Sequence, residues 1–131
     1  MKPERRFRQS VTKHLKGSEL YIWAINDSWH AGVPDHYYSG FVGDLWVEYK
    51  YFPTDRISFN LTRPSKTPKL TRPQQNWLNK QYDRGRTVWV IAGMPTGGVI
   101  LYDKAWMKPV DVKHIHSREE IANQILKVCN G

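Results

Sequence analysis

The chain has 131 residues and a mass of 15.4 kDa, room for one ordinary hydrophobic core and little more. Charged residues make up 24% and the hydrophobic set 40%, which excludes a disordered or low-complexity polymer, and the longest apolar runs, 88–92 and 99–102, fall far short of the roughly 20 residues a membrane span needs. Lysine and arginine number 20 against 12 acids, a net charge of +8, so a polyanion is the first partner to consider.

Phe7, Val11 and Leu15 recur at helical spacing, so residues 3–16 are predicted as an amphipathic helix with Pro3 in its first turn. Its outer faces are basic, with Arg5, Arg6, Arg8, Lys13 and Lys16 against the single acid Glu4. Tyr, Ile and Trp mark residues 19–26 as a first strand. Residues 35–39 and 45–51 read as a hairpin turning through Gly40 and Gly43, which completes a three-stranded meander. Residues 52–70 hold three prolines and a surplus of base, and are predicted to be an irregular, mobile excursion.

Thr71-Arg72-Pro73-Gln74 has the form of a capping box and opens a helix expected to stop at Gly85. Residues 87–92 form a continuously apolar strand of the kind buried on both faces, and 99–102 follow a glycine-containing turn. Ser117-Arg118-Glu119-Glu120 is a second capping box, ahead of a terminal helix. The order α, β, β, β, α, β, β, α describes an α/β chain, a helix-flanked mixed sheet in a single domain spanning 1–131. The basic N-terminus is followed by no apolar stretch, and Cys129 is the single cysteine. A cytoplasmic protein with neither disulfides nor a cysteine zinc site is therefore expected.

The chemical signal lies in Asp35 and in Glu48-Tyr49-Lys50, on adjacent predicted strands. Side chains alternate along a strand, so Glu48 and Lys50 share one face while Val47 and Tyr49 take the other. Mg²⁺ uses one or two protein carboxylates and completes its shell with water and phosphate oxygen. Asp35 and Glu48 supply such a pair, and the Tyr49 carbonyl is available as a third oxygen. Lys50 would orient a water or offset charge on the phosphate. An acid-x-Lys triplet arises by chance about once per 140 residues, and Asp111-Val112-Lys113 is a second example; it ranks lower because no Pro-Asp precedes it across a hairpin.

Gly32-Val33-Pro34-Asp35, Trp46-Val47-Glu48-Tyr49-Lys50, Leu70-Thr71-Arg72-Pro73-Gln74 and Gly85-Arg86-Thr87-Val88-Trp89-Val90 together resemble the VRR-NUC branch of the PD-(D/E)xK nuclease superfamily over roughly residues 3–102. The resemblance implies a restriction-endonuclease-like αβββαβ core and metal-dependent phosphodiester hydrolysis. Stand-alone relatives are often viral and resemble Holliday-junction resolvases, which would place a virus-encoded protein in its host's cytoplasm. By the same resemblance Asp35 and Glu48 match the metal-binding acids, Lys50 the catalytic lysine, Gln74 the helix glutamine near the site, and Glu4 an acid on the first helix that can join the metal shell. Tyr49 departs from an often aliphatic position, and the loop before Leu70 is long.

Several residues have plainer readings. Gln74 at the third helical position can return a hydrogen bond to the cap whether or not it is catalytic. Asp44 suits a turn. His114 and His116 share a side of an extended segment, as zinc ligands do, but with no clear third ligand they read as surface histidines. His30 and His36 stay unassigned. Trp23, Trp46, Trp77 and Trp89 are expected in the core, and Trp29 and Trp106 outside it, where they could stack on bases.

These readings converge on a Mg²⁺- or Mn²⁺-dependent endonuclease for branched or otherwise structured DNA, a homodimer if it resolves junctions, since one site per chain must make two symmetric cuts. Its catalytic residues are Asp35, Glu48, Lys50 and Gln74; its metal ligands Asp35, Glu48, the Tyr49 carbonyl and Glu4. Arg5, Arg6, Arg8, Arg63, Lys66, Lys69 and Arg72 are the expected phosphate contacts. A flap or nicking nuclease and a non-catalytic nucleic-acid-binding module are the alternatives.

Overall fold

The computed structural model describes residues 1–25, 29–64 and 68–131. In chain order its elements are α1 (Pro3–Thr12), β1 (Tyr21–Ala24), β2 (His36–Ser39), β3 (Asp44–Tyr51), β4 (Ser58–Phe59), α2 (Arg72–Asp83), β5 (Val88–Met94), β6 (Gly97–Leu101), β7 (Val110–Asp111) and α3 (Arg118–Asn130). Five strands form one sheet in the order β1-β2-β3-β5-β6. The first three are the antiparallel meander expected from the glycine turn, β3 and β5 run parallel because α2 crosses between them, and β6 folds back antiparallel on β5. No helix of the described residues is long and apolar enough to cross a membrane.

Alternation along the strands divides the interior into two apolar clusters, one on each face of the sheet. Val47 and Tyr49 of β3 with Trp89 and Ile91 of β5 face α1 and α3, where they meet Phe7, Val11, Leu15, Ile121 and Ile125. Val88, Val90 and Ala92 face the other way, toward Leu78 of α2. Every residue of β5 is buried, as its continuously apolar sequence predicts. Both capping boxes form: Thr71 accepts from the Gln74 amide, Ser117 from the Glu120 amide, and each partner side chain bonds back to the cap.

Four expectations are corrected. The predicted helix 3–16 tightens after Thr12 into a 3-10 turn, Lys13–Leu15, the usual end for a helix whose last carbonyls lack partners. Residues 52–70 are not simply irregular: Phe59, Leu61 and Leu70 are buried in the second cluster, the Leu70 amide bonds to the Leu61 carbonyl, and β4 pairs with β7. The prolines interrupt the segment without preventing burial of the apolar side chains between them. Trp23 is 47% exposed, because β1 is an edge strand exposed along its length. Trp106 is 0% exposed and donates to Asn79 Oδ1 at 2.9 Å, which satisfies its indole N–H inside the core.

Candidate active site

The centre is built where β2 and β3 part. Their pairing ends at His36 with Val47, so the next β3 amide on that edge, that of Tyr49, has no β2 residue opposite it. Asp35, one residue before β2, takes the place of a strand: its Oδ2 accepts from the Tyr49 amide at 2.9 Å. Within a strand the N–H and C=O of one residue point to the same edge, so the Tyr49 carbonyl opens on the Asp35 side. The Tyr49 side chain is on the opposite face and fully buried, its hydroxyl 2.7 Å from that of Tyr38 and its ring edge-on to Phe7 and His36. The aromatic ring therefore fills core, and only the backbone of this residue addresses the site.

Glu48 and Lys50 project from the other face of β3 toward α2. Glu48 is 3% exposed, and Lys50 Nζ lies 3.4 Å from its Oε2. Gln74 clamps the two: its Oε1 accepts from Lys50 Nζ at 3.1 Å, and its Nε2 donates to Glu48 Oε2 at 3.0 Å. The same Oε1 accepts from the Thr71 amide at 2.9 Å. The capping and site readings of Gln74 are thus both met by one amide group. Close approach of the Asp35 loop to this helix end depends on Gly32, at φ +87°, where a Cβ would lie 2.2 Å from the Pro73 carbonyl oxygen.

Glu4, on the first turn of α1, is half-buried and near enough to Asp35 for the two acidic groups to interact. Arg8, one turn on, has its Nε 3.8 Å from Glu4 Oε1. Sequence placed Arg8 with the outward basic face; the structure turns it inward, its Nε buried without a hydrogen-bond partner among the described residues. The i,i+4 spacing of Glu4 and Arg8 was the available signal for that pairing. Arg5, Arg6, Arg63 and Arg72 are exposed; Lys69 is partly buried and donates to the Pro64 carbonyl at 2.7 Å. Lys66 lies outside the described residues. Arg5 and Arg6 follow Glu4 in α1 and Arg72 opens α2 two residues before Gln74; among the cations, Arg8 and Lys50 are those whose charge is felt at Asp35.

Burial pushes the Glu48 carboxyl up to about 8, with the charge of Asp35 adding to the effect and Lys50 opposing it. Burial likewise raises Asp35, against the downward pull of the Tyr49 amide bond and of Arg8 and Lys50. Glu4 is raised by burial and then by Asp35. Mutually repelling carboxylates held from water are the condition a cation relieves. Asp35, Glu48 and the Tyr49 carbonyl form an all-oxygen donor set suited to a hard divalent ion, with Glu4 beside them. Among the described residues these acids do not bring three carboxylate oxygens within 4.8 Å of one another, so an ion held here would draw the rest of its shell from water and substrate.

The other candidates separate clearly. Asp111 and Lys113 of the second triplet are exposed, with Asp111 on the two-residue β7. Asp44 accepts from Tyr37 Oη at 2.5 Å and Ser39 Oγ at 2.7 Å, a hairpin role realised through side chains. His36 is 7% exposed, stacked on Tyr38 and pushed down to about 4 by burial and Arg8; it is a neutral packing group behind Asp35. His114 and His116 do have a third partner, Glu120, which the sequence reading missed because it treated that residue only as half of a capping box.

No family model matches the sequence, and no curated protein matches it. Among solved structures the chain is similar to Hjc, a Holliday junction resolvase from the archaeal hyperthermophile Archaeoglobus fulgidus, with a TM-score of 0.57 and 12% identity, over 90% of this chain and 98% of that one. At that identity the likeness concerns architecture. The chain has a restriction-endonuclease-like fold, a mixed five-stranded sheet between helices.

Proposed function

We propose that this protein is a metal-dependent endonuclease of the VRR-NUC type that hydrolyses DNA phosphodiester bonds, with branched DNA such as a four-way junction as its substrate. The observation that carries the reading is the polar cluster of Asp35, Glu48, Lys50 and Gln74, joined by hydrogen bonds and an ion pair around Glu48, which is one of the two buried polar residues among the described residues, His36 being the other. Burying charges without a chemical purpose is costly. Asp35 and Glu48 would hold Mg²⁺ or Mn²⁺ with the Tyr49 carbonyl, and Glu4 stands beside that shell. A divalent ion bound there supplies Lewis-acid stabilisation of the phosphate and lowers the pKa of water.

The chain's own residues do the rest. Lys50, fixed between Glu48 and Gln74, presents an ammonium that offsets negative charge as the phosphate becomes pentacovalent. Gln74 holds that ammonium in place and keeps Glu48 oriented. Arg5, Arg6, Arg63, Lys66, Lys69 and Arg72 grip the DNA backbone, which positions the duplex without reading its sequence. The architecture shared with Hjc supports junction DNA in particular, and two symmetric cuts by one site per chain call for a homodimer.

Labelled four-way junction, flap and linear duplex, each incubated with Mg²⁺ or with EDTA, test the reading. Paired symmetric nicks across the junction, abolished by EDTA, are expected. Cleavage of the flap alone would assign the site to another nuclease role, and binding without cleavage of any substrate would leave a nucleic-acid-binding module.

A further inference from the structure

The second cluster of ligating side chains lies apart from the acidic centre, where the chain enters α3. His114 Nε2 and His116 Nδ1 each lie 3.7 Å from the same oxygen, Glu120 Oε2. The three ligand atoms are all within 4.8 Å of one another, the one such trio among the described residues. The two rings meet edge to face at 4.6 Å between centroids. We propose that His114, His116 and Glu120 form a binding site for a late first-row divalent cation, with Zn²⁺ as its ligand.

Geometry and chemistry both favour this ion. Zinc bonds of about 2.0 to 2.2 Å in a tetrahedron put ligand atoms about 3.4 Å apart. The observed 3.7 Å spacings are within a few tenths of that, and His114, 63% exposed, has room to swing the remaining distance. Two imidazoles and a carboxylate form the donor set that such metals prefer and Mg²⁺ does not.

The site is also built on ordered backbone. His116 is bridged to β6, its amide bonding to the Gly98 carbonyl at 2.9 Å and its carbonyl accepting from the Gly98 amide at 2.8 Å. Glu120 is held by its other oxygen, Oε1, which accepts from the Ser117 amide at 2.8 Å. That leaves Oε2 aimed at the rings, much as outer hydrogen bonds orient metal-ligating carboxylates. Arg118, the nearest cation on α3, is turned away toward Ser10 Oγ and the Pro95 carbonyl. The exposed setting leaves the fourth position to water. A bound ion would tie the start of α3 to β6, so its effect is on stability, and the site is independent of the nuclease reading.

Co²⁺ titration of the full chain in excess Mg²⁺, followed by visible absorption and reversed with Zn²⁺, tests the proposal, because Mg²⁺ occupies oxygen sites silently. One equivalent of tightly held Co²⁺ with tetrahedral-type bands is expected, displaced by Zn²⁺, together with a melting temperature that rises with Zn²⁺ concentration. His114→Asn, His116→Asn and Glu120→Gln should each weaken binding at least tenfold; Glu120→Gln retains the capping acceptor, so its loss of affinity is not a folding effect. Absence of saturable binding, or binding unchanged in these three variants, overturns the proposal. So does binding that persists in His116→Asn but disappears in Asp35→Asn, which would place the ion at the acidic centre.

Discussion

α2 and α3 begin with the same local device and use it for different chemistry. Each has a hydroxyl at the cap and a long polar side chain three residues on, and in each that side chain spends one atom on the cap backbone. Gln74 shares its oxygen between the Thr71 amide and Lys50, and gives its nitrogen to the buried Glu48. Glu120 has a second oxygen, which meets two imidazoles at the surface. A neutral amide can donate and accept at once, so it can join an acid to an ammonium; a carboxylate only accepts, so it gathers cations. The capping box fixes where such a side chain begins, and the surrounding fold decides what its remaining atom does.

Around the two caps the largest effect is expected at Lys50, the ammonium that Gln74 holds. Lys50→Met removes the ammonium that Gln74 positions, and a loss in single-turnover cleavage on the order of 10²- to 10³-fold is expected, the scale of deleting one aligned electrostatic contact. Gln74→Glu is sharper. It keeps an acceptor for the cap but removes the amide donor to the buried Glu48 and sets a second carboxyl beside it, so cleavage should fall about 10²-fold and the melting temperature should fall as well, while the Thr71 cap is retained. Cleavage that survives this change would reduce Gln74 to a cap.

Proton linkage offers a third test, in EDTA. Glu48 is pushed up to about 8 in the fold from an ordinary 4.5, so the folded chain keeps a proton that the unfolded chain has released, and stability falls as pH rises through that window. His36 works oppositely, from 6.5 down to about 4: there the unfolded chain holds the extra proton, and stability rises with pH up to about 6.5. Between pH 6.5 and 8 Glu48 dominates, so the melting temperature should drop across this interval in wild type and stay flatter in Glu48→Gln. The smallest effect is expected at the rim: Arg5→Ala or Arg6→Ala should each lower the slope of log affinity for DNA against log salt by about 1, without altering which substrate is preferred.

Much of the site was legible because its signals are local. Strand alternation put Glu48 and Lys50 on one face, and the glycine hairpin brought Asp35 alongside. The capping boxes are four-residue motifs that form by themselves. What escaped depends on tertiary contact. The pairing of β4 with β7 joins two-residue strands about fifty positions apart, too short for periodicity to register. Arg8 looked like one more surface cation until the fold turned Glu4 and Asp35 toward it. Glu120 was hidden by its own adequate explanation as a cap, and Trp23 and Trp106 exchanged expected places because edge position and helix cover are properties of the assembled sheet.

On the proposed function the acids recruit the ion while the arginines and lysines hold the DNA. Cleavage and binding of a labelled four-way junction by wild type, Asp35→Asn and Glu48→Gln, in Mg²⁺, separate these two roles. Both variants are expected to bind the junction with near wild-type affinity and to cut it at least 10³-fold more slowly, the loss that follows when several kcal/mol of metal-borne stabilisation disappear; undiminished cutting by either variant would show that these acids do not hold the ion.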